Sequence, residues 1–264
     1  LTARDQMVGP WQVPVADCAV TLRDHEGVAG EAMALGERSP IAVLNPAASG
    51  RMAVAEALTN LAAAGVARLE DVKLSANWMA ACGAPGQDAA LYDTVSAVSD
   101  WCQSLGLSIP VGKDSLSMRT AWRDETGDHQ VVSPVSLVVT ACAPVADVRA
   151  TLTPQLRDAA EGSVLLLVDL GEGRQRMGGS VLAHAYGGIG AETPDLHDAA
   201  LLRAAFMALR ELTAQGWILA CHDRSDGGLL AAAAEMAFAG RLGVSLNLDM
   251  LTIDPHTADA GDYK

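Results

Sequence analysis

The loop His222-Asp223-Arg224-Ser225-Asp226-Gly227-Gly228 is the strongest candidate for chemistry in the chain. Two carboxylates beside a hydroxyl suit a hard cation such as Mg²⁺, which takes oxygen ligands and shares them with nucleotide phosphates. The loop follows a short apolar strand and precedes a helix, with two glycines that let backbone approach a ligand. Ligands gather at such strand ends in α/β sheets. The same residues also read as an ordinary helix N-cap carrying solvated charges. Glu56 and Asn60 repeat the theme. They are four apart on a helix, so a carboxylate and an amide oxygen can converge on one cation from consecutive turns. A solvated helix face is the competing reading. Asp17, after the run Trp11-Gln12-Val13-Pro14-Val15-Ala16, gains meaning only if it joins the other acids.

Other motifs fail on spacing. Val111-Gly112-Lys113-Asp114-Ser115 is not a P-loop, because Gly106 stands six positions before Gly112 and Asp114 replaces the metal-binding Ser or Thr. Lys113 and Asp114 either contact phosphate and metal or pair with each other in a turn. Gly171-x-Gly173 with Gly178-Gly179 lacks the dinucleotide-binding spacing but remains compatible with phosphate. His25, His129, His184, His197 and His256 lack metal spacing, and His222 reads as a loop hydrogen-bonder rather than a ligand. No G-x-S-x-G elbow supports serine hydrolysis. Cys18, Cys82, Cys102, Cys142 and Cys221 form no CxxC pair and fit a reduced, cytoplasmic protein.

The elements that must position these residues alternate between α and β. The apolar stripe Val54, Ala55, Leu58, Leu61, Ala62 predicts a helix over about 51–66 with Glu56 and Asn60 on its other side. Residues 107–111 and 136–141 read as strands, separated by a polar hairpin over 122–130. A break at Ala143-Pro144-Val145-Ala146-Asp147 places a domain boundary near 147. Beyond it the pattern predicts a fully buried strand over 163–168, helices over about 180–186 and 195–215, a strand over 217–221, and an Ala-rich helix from Leu229 to about Ala239. Half of the residues are hydrophobic and only 4% aromatic, so the core is built from Ala, Val and Leu. Eighteen basic against 32 acidic residues give a net charge of −14, which argues against nucleic acid and anionic membranes as partners unless a local basic pocket intervenes. The longest charge-free stretch, 130–146, is broken by Pro134 and Pro144 and is no membrane span. Leu1 in place of Met and the ragged C-terminal run 258–264 suggest a piece of something longer.

At these residues the chain resembles phosphoribosylformylglycinamidine synthase, in its large single-chain form. The strings Val8-Gly9-Pro10-Trp11-Gln12-Val13-Pro14-Val15-Ala16-Asp17-Cys18, Gly36-Glu37-Arg38, Glu56-Ala57-Leu58-Thr59-Asn60, Leu74-Ser75-Ala76-Asn77-Trp78-Met79, Val111 to Ser115 and His222 to Gly228 carry the likeness over nearly the whole chain. The resemblance implies an α/β (α+β) fold like aminoimidazole ribonucleotide synthetase. A sheet-plus-helices unit (1–147) precedes a truncated C-terminal α/β unit (148–264), and together they form the second of two synthetase-like halves. By the same resemblance Asp17, Glu56, Asn60 and Asp223 are Mg²⁺ ligands, and Ala16 and Ser225 contact ATP or ADP.

The implied reaction is the ATP- and glutamine-dependent conversion of formylglycinamide ribonucleotide to its amidine in purine synthesis, through phosphorylation of the amide oxygen and displacement of phosphate by ammonia. The alternative is a structural module that holds ADP and Mg²⁺ without catalysis. A relative such as selenophosphate synthetase or thiamine phosphate kinase is disfavoured by the strings around Trp11 and Trp78. Without the first half and the glutaminase domain, the chain alone is expected to be inactive and to self-associate through its N-terminal sheet.

Overall fold

The computed structural model describes residues 1–159 and 162–251. Strands β1 (Thr2–Arg4), β2 (Ala19–Leu22) and β3 (Gly30–Glu37) lead into the short helix α1 (Ser39–Ala42) and the long helix α2 (Pro46–Ala62). Strand β4 (Lys73–Met79), helix α3 (Gln87–Leu105), strand β5 (Ser108–Ser115), the hairpin β6 (Arg119–Asp124) and β7 (Gly127–Val132), and strand β8 (Ser136–Val145) follow. Six strands form one sheet in the order β1-β2-β3-β8-β4-β5, while β6 and β7 pair only with each other. Only β4 and β5 run parallel, joined by the crossover through α3, as a parallel pair requires.

Strand β3 explains how a helix comes to sit so close to this sheet. Its residues alternate buried and exposed, and the buried set is Gly30, Ala32, Ala34 and Gly36. These small residues leave the face shallow. A Cβ on Gly36 would stand 2.1 Å from the Ala53 carbonyl oxygen and 2.5 Å from the Ala57 nitrogen, so α2 presses its backbone onto the strand. Helix α2 opens with Asn45, whose side-chain oxygen accepts from the Ala48 N–H at 3.0 Å, followed by Pro46 in the first turn. Val54, Ala55, Leu58 and Leu61 are buried as the periodicity predicts. Ala48, Ser49, Gly50, Ala53 and Ala57 are buried as well, because α3 closes on the helix from another side at Thr94 and Val98. Glu56 and Asn60 consequently lie on no solvated face; they point along the edge of the sheet.

The remaining helices are α4 (Val181–Ala185), α5 (Ala199–Ala214) and α6 (Gly228–Gly240). Asp198 caps α5 by accepting from the N–H groups of Ala200 and Leu201. Leu202 and Phe206 of α5 join the main core beneath the sheet. Arg51 of α2 grips the buried Asp195 carboxylate through two bonds of 2.9 and 2.6 Å. Burial opposes the charge on Asp195, but the Arg51 contact outweighs it and holds the carboxyl below its ordinary value.

Two expected strands are absent. Residues 163–168 and 217–221 form no ladder, and Val164, Leu166 and Trp217 are 81%, 75% and 73% exposed. An apolar run forecasts burial only if another segment lies beside it, and among the described residues the one backbone bond between either run and a distant segment, Cys221 N–H to the Thr153 carbonyl at 3.1 Å, makes no ladder. Val111 to Ser115 lies inside β5, so Lys113 and Asp114 sit in an extended strand opposite Asn77 and Trp78 rather than in a turn.

The close contact at Gly36 makes a direct prediction. Gly36→Ala should cost at least about 2 kcal/mol in urea unfolding, because the added methyl overpacks a backbone-on-backbone contact that cannot yield cheaply. A variant as stable as the parent would show that α2 can lift from the sheet.

Candidate functional site

The site is assembled where α2, the segment before β2 and the loop before α6 meet. Asp17 ends the irregular stretch between β1 and β2, with its side chain only 3% exposed. Its Oδ1 lies 2.6 Å from Nδ1 of His222, while its Oδ2 is buried with no hydrogen-bond partner. Asp223 follows His222 in the loop and is itself largely buried. One ligand atom from each of Asp17, His222 and Asp223 lies within 4.8 Å of the others. The sequence places these carboxylates at opposite ends of the chain; the docking of the loop onto the N-terminal segment brings them together.

Helix α2 supplies the next two residues. Because Gly36 draws α2 onto β3, the Glu56 Oε2 accepts from the Glu37 N–H at 2.8 Å. Its Oε1 accepts from the Ser225 hydroxyl at 2.7 Å, linking helix to loop. One turn on, the Asn60 amide donates to the Leu35 carbonyl at 3.0 Å, which turns its Oδ1 away. That oxygen is buried and has no partner. Arg38 donates to Asp226 at 2.8 Å and stands 4.0 Å from Glu56, closing the loop against the end of β3.

Burial and like charge dominate the electrostatics of this cluster. Burial first, then the charge of Asp17 and, more weakly, the charge of Glu56 and a side-chain hydrogen bond with Asp17, push the Asp223 carboxyl up to about 7, with His222 opposing the rise. For His222 burial works against the charged form, but the hydrogen bonds to Asp17 and Glu235 and the charge of Asp223 outweigh it. The imidazole is carried to about 9. Its Nε2 lies 2.8 Å from Oε2 of Glu235 on α6. Burial raises the Cys221 thiol beside the loop to about 12, which makes it an inert packing residue rather than a nucleophile.

Of the six residues expected from the sequence, Asp17, Glu56, Ser225 and Asp223 are thus linked by contact or by charge, and Asn60 presents an orphan oxygen from the same helix as Glu56. Ala16 adjoins Asp17 and offers backbone alone; its N–H donates to Gln6 at 3.4 Å. The Ser225 hydroxyl is spent on Glu56 in this structure. His222 is the loop hydrogen-bonder its setting predicts. Glu235 and the role of Arg38 were missed. The available signal for Glu235 is its isolation, since it is the one charged residue of the Ala-rich helix α6.

Residues 1–144 match the family model described as the FGAR-AT PurM_N-like domain, and residues 160–262 match that of the AIR synthase related protein, C-terminal domain. The chain belongs to the FGAR-AT PurM_N-like family. Solved structures share its fold. Thermotoga maritima PurL complexed with FGAR matches with a TM-score of 0.61 at 14% identity, over 92% of this chain and 36% of that one. PurLQS from the same organism gives 0.57 at 15%, over 92% and 34%, and its PurL complexed with ATP gives 0.54 at 14%, over 89% and 33%. The chain therefore spans about a third of the length of these proteins. At such identities the likeness establishes an AIR synthase-like fold. Among the described residues no helix is long and apolar enough to cross a membrane.

The buried carboxylates predict a stabilising substitution. A carboxyl raised to about 7 binds its proton more tightly folded than unfolded, so it lowers stability as pH climbs from about 4 to about 7, and the loss is complete above that. In the metal-free protein Asp223→Asn should gain about 1–3 kcal/mol more at pH 8 than at pH 4.5. Urea titrations at both pH values decide it; equal gains at both would trace the effect to packing.

Proposed function

We propose that this chain is the nucleotide-binding second half of a phosphoribosylformylglycinamidine synthase, organised as units 1–147 and 148–264. In the whole protein it would serve the ATP- and glutamine-dependent conversion of formylglycinamide ribonucleotide to its amidine. Family membership and the shared fold support the assignment, as do relatives whose structures hold FGAR and ATP. The observation that carries it is the pair of buried, unpartnered oxygens, Asp17 Oδ2 and Asn60 Oδ1, in a site already rich in carboxylate. Buried acceptors are almost always satisfied, so two orphans of the same kind call for a ligand that only donates or is positive.

A Mg²⁺ ion fits this donor set. All four residues, Asp17, Glu56, Asn60 and Asp223, present hard oxygens, and a divalent charge would relieve the repulsion that raises Asp223. When bound, the ion would supply charge neutralisation for the phosphates of ATP or ADP. The chain's own residues do the positioning. Ser225 and Glu37 fix the Glu56 carboxylate, Leu35 fixes the Asn60 amide, and Arg38 pins the loop through Asp226. Gly227 adopts φ +84° with Ala231 packed against it, while Gly228, at φ +64°, has nothing within 4 Å where a side chain would stand and leaves bare backbone at the start of α6 for a phosphate to approach.

Calorimetry with ADP and with ATP, each with and without Mg²⁺, tests the reading. Binding should require Mg²⁺, fall by at least about tenfold in Asp17→Asn and in Glu56→Ala, and weaken by about tenfold or more from pH 8 to pH 5.5 as Asp223 takes up its proton. Tight nucleotide binding that ignores Mg²⁺ and both variants would sink it.

A further inference from the structure

Glu235 and His222 are left over once the oxygen ligands are assigned. Glu235 sits midway along α6, thirteen positions after His222, with a side chain that is 41% exposed. His222 is almost enclosed, at 8%, and each of its ring nitrogens faces a carboxylate: Nδ1 toward Asp17 Oδ1 at 2.6 Å and Nε2 toward Glu235 Oε2 at 2.8 Å. Carboxylate oxygens only accept, so both ring N–H groups donate and the ring is held at two opposite points. With its plane fixed, the imidazole occupies one oxygen of Asp17 and stops the carboxylate from rotating. The other oxygen, Oδ2, is the one left without a partner.

We infer that Glu235 and His222 are positioning residues of the cation site: Glu235 orients the imidazole, and the imidazole commits Asp17 to offering a single oxygen, Oδ2. The inference rests on the reading of Asp17 as a metal ligand given above. It assigns a task to a partly exposed glutamate on a helix that otherwise carries no charge. Outer partners that orient a ligand ordinarily govern metal affinity by about 10–100-fold, and Glu235 reaches Asp17 through one intervening ring.

The test uses the 264-residue chain with ADP and Mn²⁺ in place of Mg²⁺, reading free Mn²⁺ by its electron paramagnetic resonance and the metal-free fold by thermal unfolding. Glu235→Ala suits an alanine-rich helix and should leave the metal-free unfolding temperature near that of the parent, while weakening Mn²⁺ by about tenfold or more. Glu235→Gln keeps an oxygen that can accept from Nε2 and should restore affinity to within about threefold. His222→Asn keeps a donor for Asp17 but loses Glu235, and should resemble Glu235→Ala whether or not that variant folds. If the parent binds Mn²⁺ and Asp17→Asn abolishes it, yet Glu235→Ala and His222→Asn bind like the parent, this inference is overturned and the metal reading stands. Should Asp17→Asn bind as well as the parent, or the parent not bind at all, the metal reading fails and takes the inference with it. Loss in Glu235→Gln equal to that in Glu235→Ala would overturn the orienting role, because charge rather than hydrogen bonding would then be what matters.

Discussion

Two carboxylates, Asp17 and Asp223, are buried side by side, and much of the surrounding structure answers the repulsion between them. Burying like charges is among the most costly arrangements a fold can make, and left alone the two segments would part. They are kept together by contacts that all cross the same seam. His222 bridges to Asp17, Ser225 to Glu56, Arg38 to Asp226, and Arg51 to Asp195. Each joins a residue of the first 60 to a residue beyond 190. The apolar packing of Leu202 and Phe206 into the main core adds the non-directional part of the attachment.

The position of Glu56 follows from the absence of side chains elsewhere. Gly36 has no Cβ, so α2 rests its backbone directly on β3, and this close approach lets a short glutamate on the helix reach the N–H of Glu37. Asn60, one turn later, reaches the Leu35 carbonyl on the same strand. The two side chains thus take up a strand N–H and a strand C=O near the end of β3, beside a sheet edge that would otherwise leave them to water. A helix standing a further ångström or two away would lose both contacts, and the site would lose two of its fixed oxygens. Packing of small residues and placement of charge are here one geometric fact.

What the sequence made legible is what depends on neighbours along the chain. The stripe Val54, Leu58, Leu61 marks α2, the alternation from Ser136 marks β8, and Thr126-Gly127-Asp128 marks the hairpin. The loop from His222 to Gly228 draws notice because its reactive residues are consecutive. What was not legible depends on partners far away. Strand β3 hides because Gly30-Glu31-Ala32-Met33-Ala34 has small residues where a strand usually shows large ones. Residues 163–168 mislead in the opposite sense, being as apolar as a buried strand yet exposed. Glu235 offers no hint of its contact, since the imidazole it touches becomes its neighbour only when α6 folds back beneath the loop. The spacing of Glu56 and Asn60 shows that they can converge. Only the structure shows that the Asn60 Oδ1 is buried without a partner.

A chain of net charge −14 repels polyphosphates, and a local basic pocket is the usual remedy. Among the described residues the cations around this site already face carboxylates. Arg38 is engaged by Asp226 and Glu56, Arg51 is committed to Asp195, and Arg224 of the loop stands 3.8 Å from Asp169. On the reading proposed here the remedy is the reverse: the pocket is made acidic, and a divalent ion supplies the positive charge. Asp17, Glu56, Asp223 and the Glu235 on the far side of the ring carry four negative charges when ionised, while His222 holding both N–H groups returns one positive charge. A divalent cation would cancel two of the remaining three. Phosphate oxygens would then meet the charge of the cation rather than bare carboxylate, and attraction would depend on the ion being present. On that reading the site would have little affinity for nucleotide until the cation arrives, and an acidic protein would hold a polyphosphate without carrying a basic surface that attracts every other one.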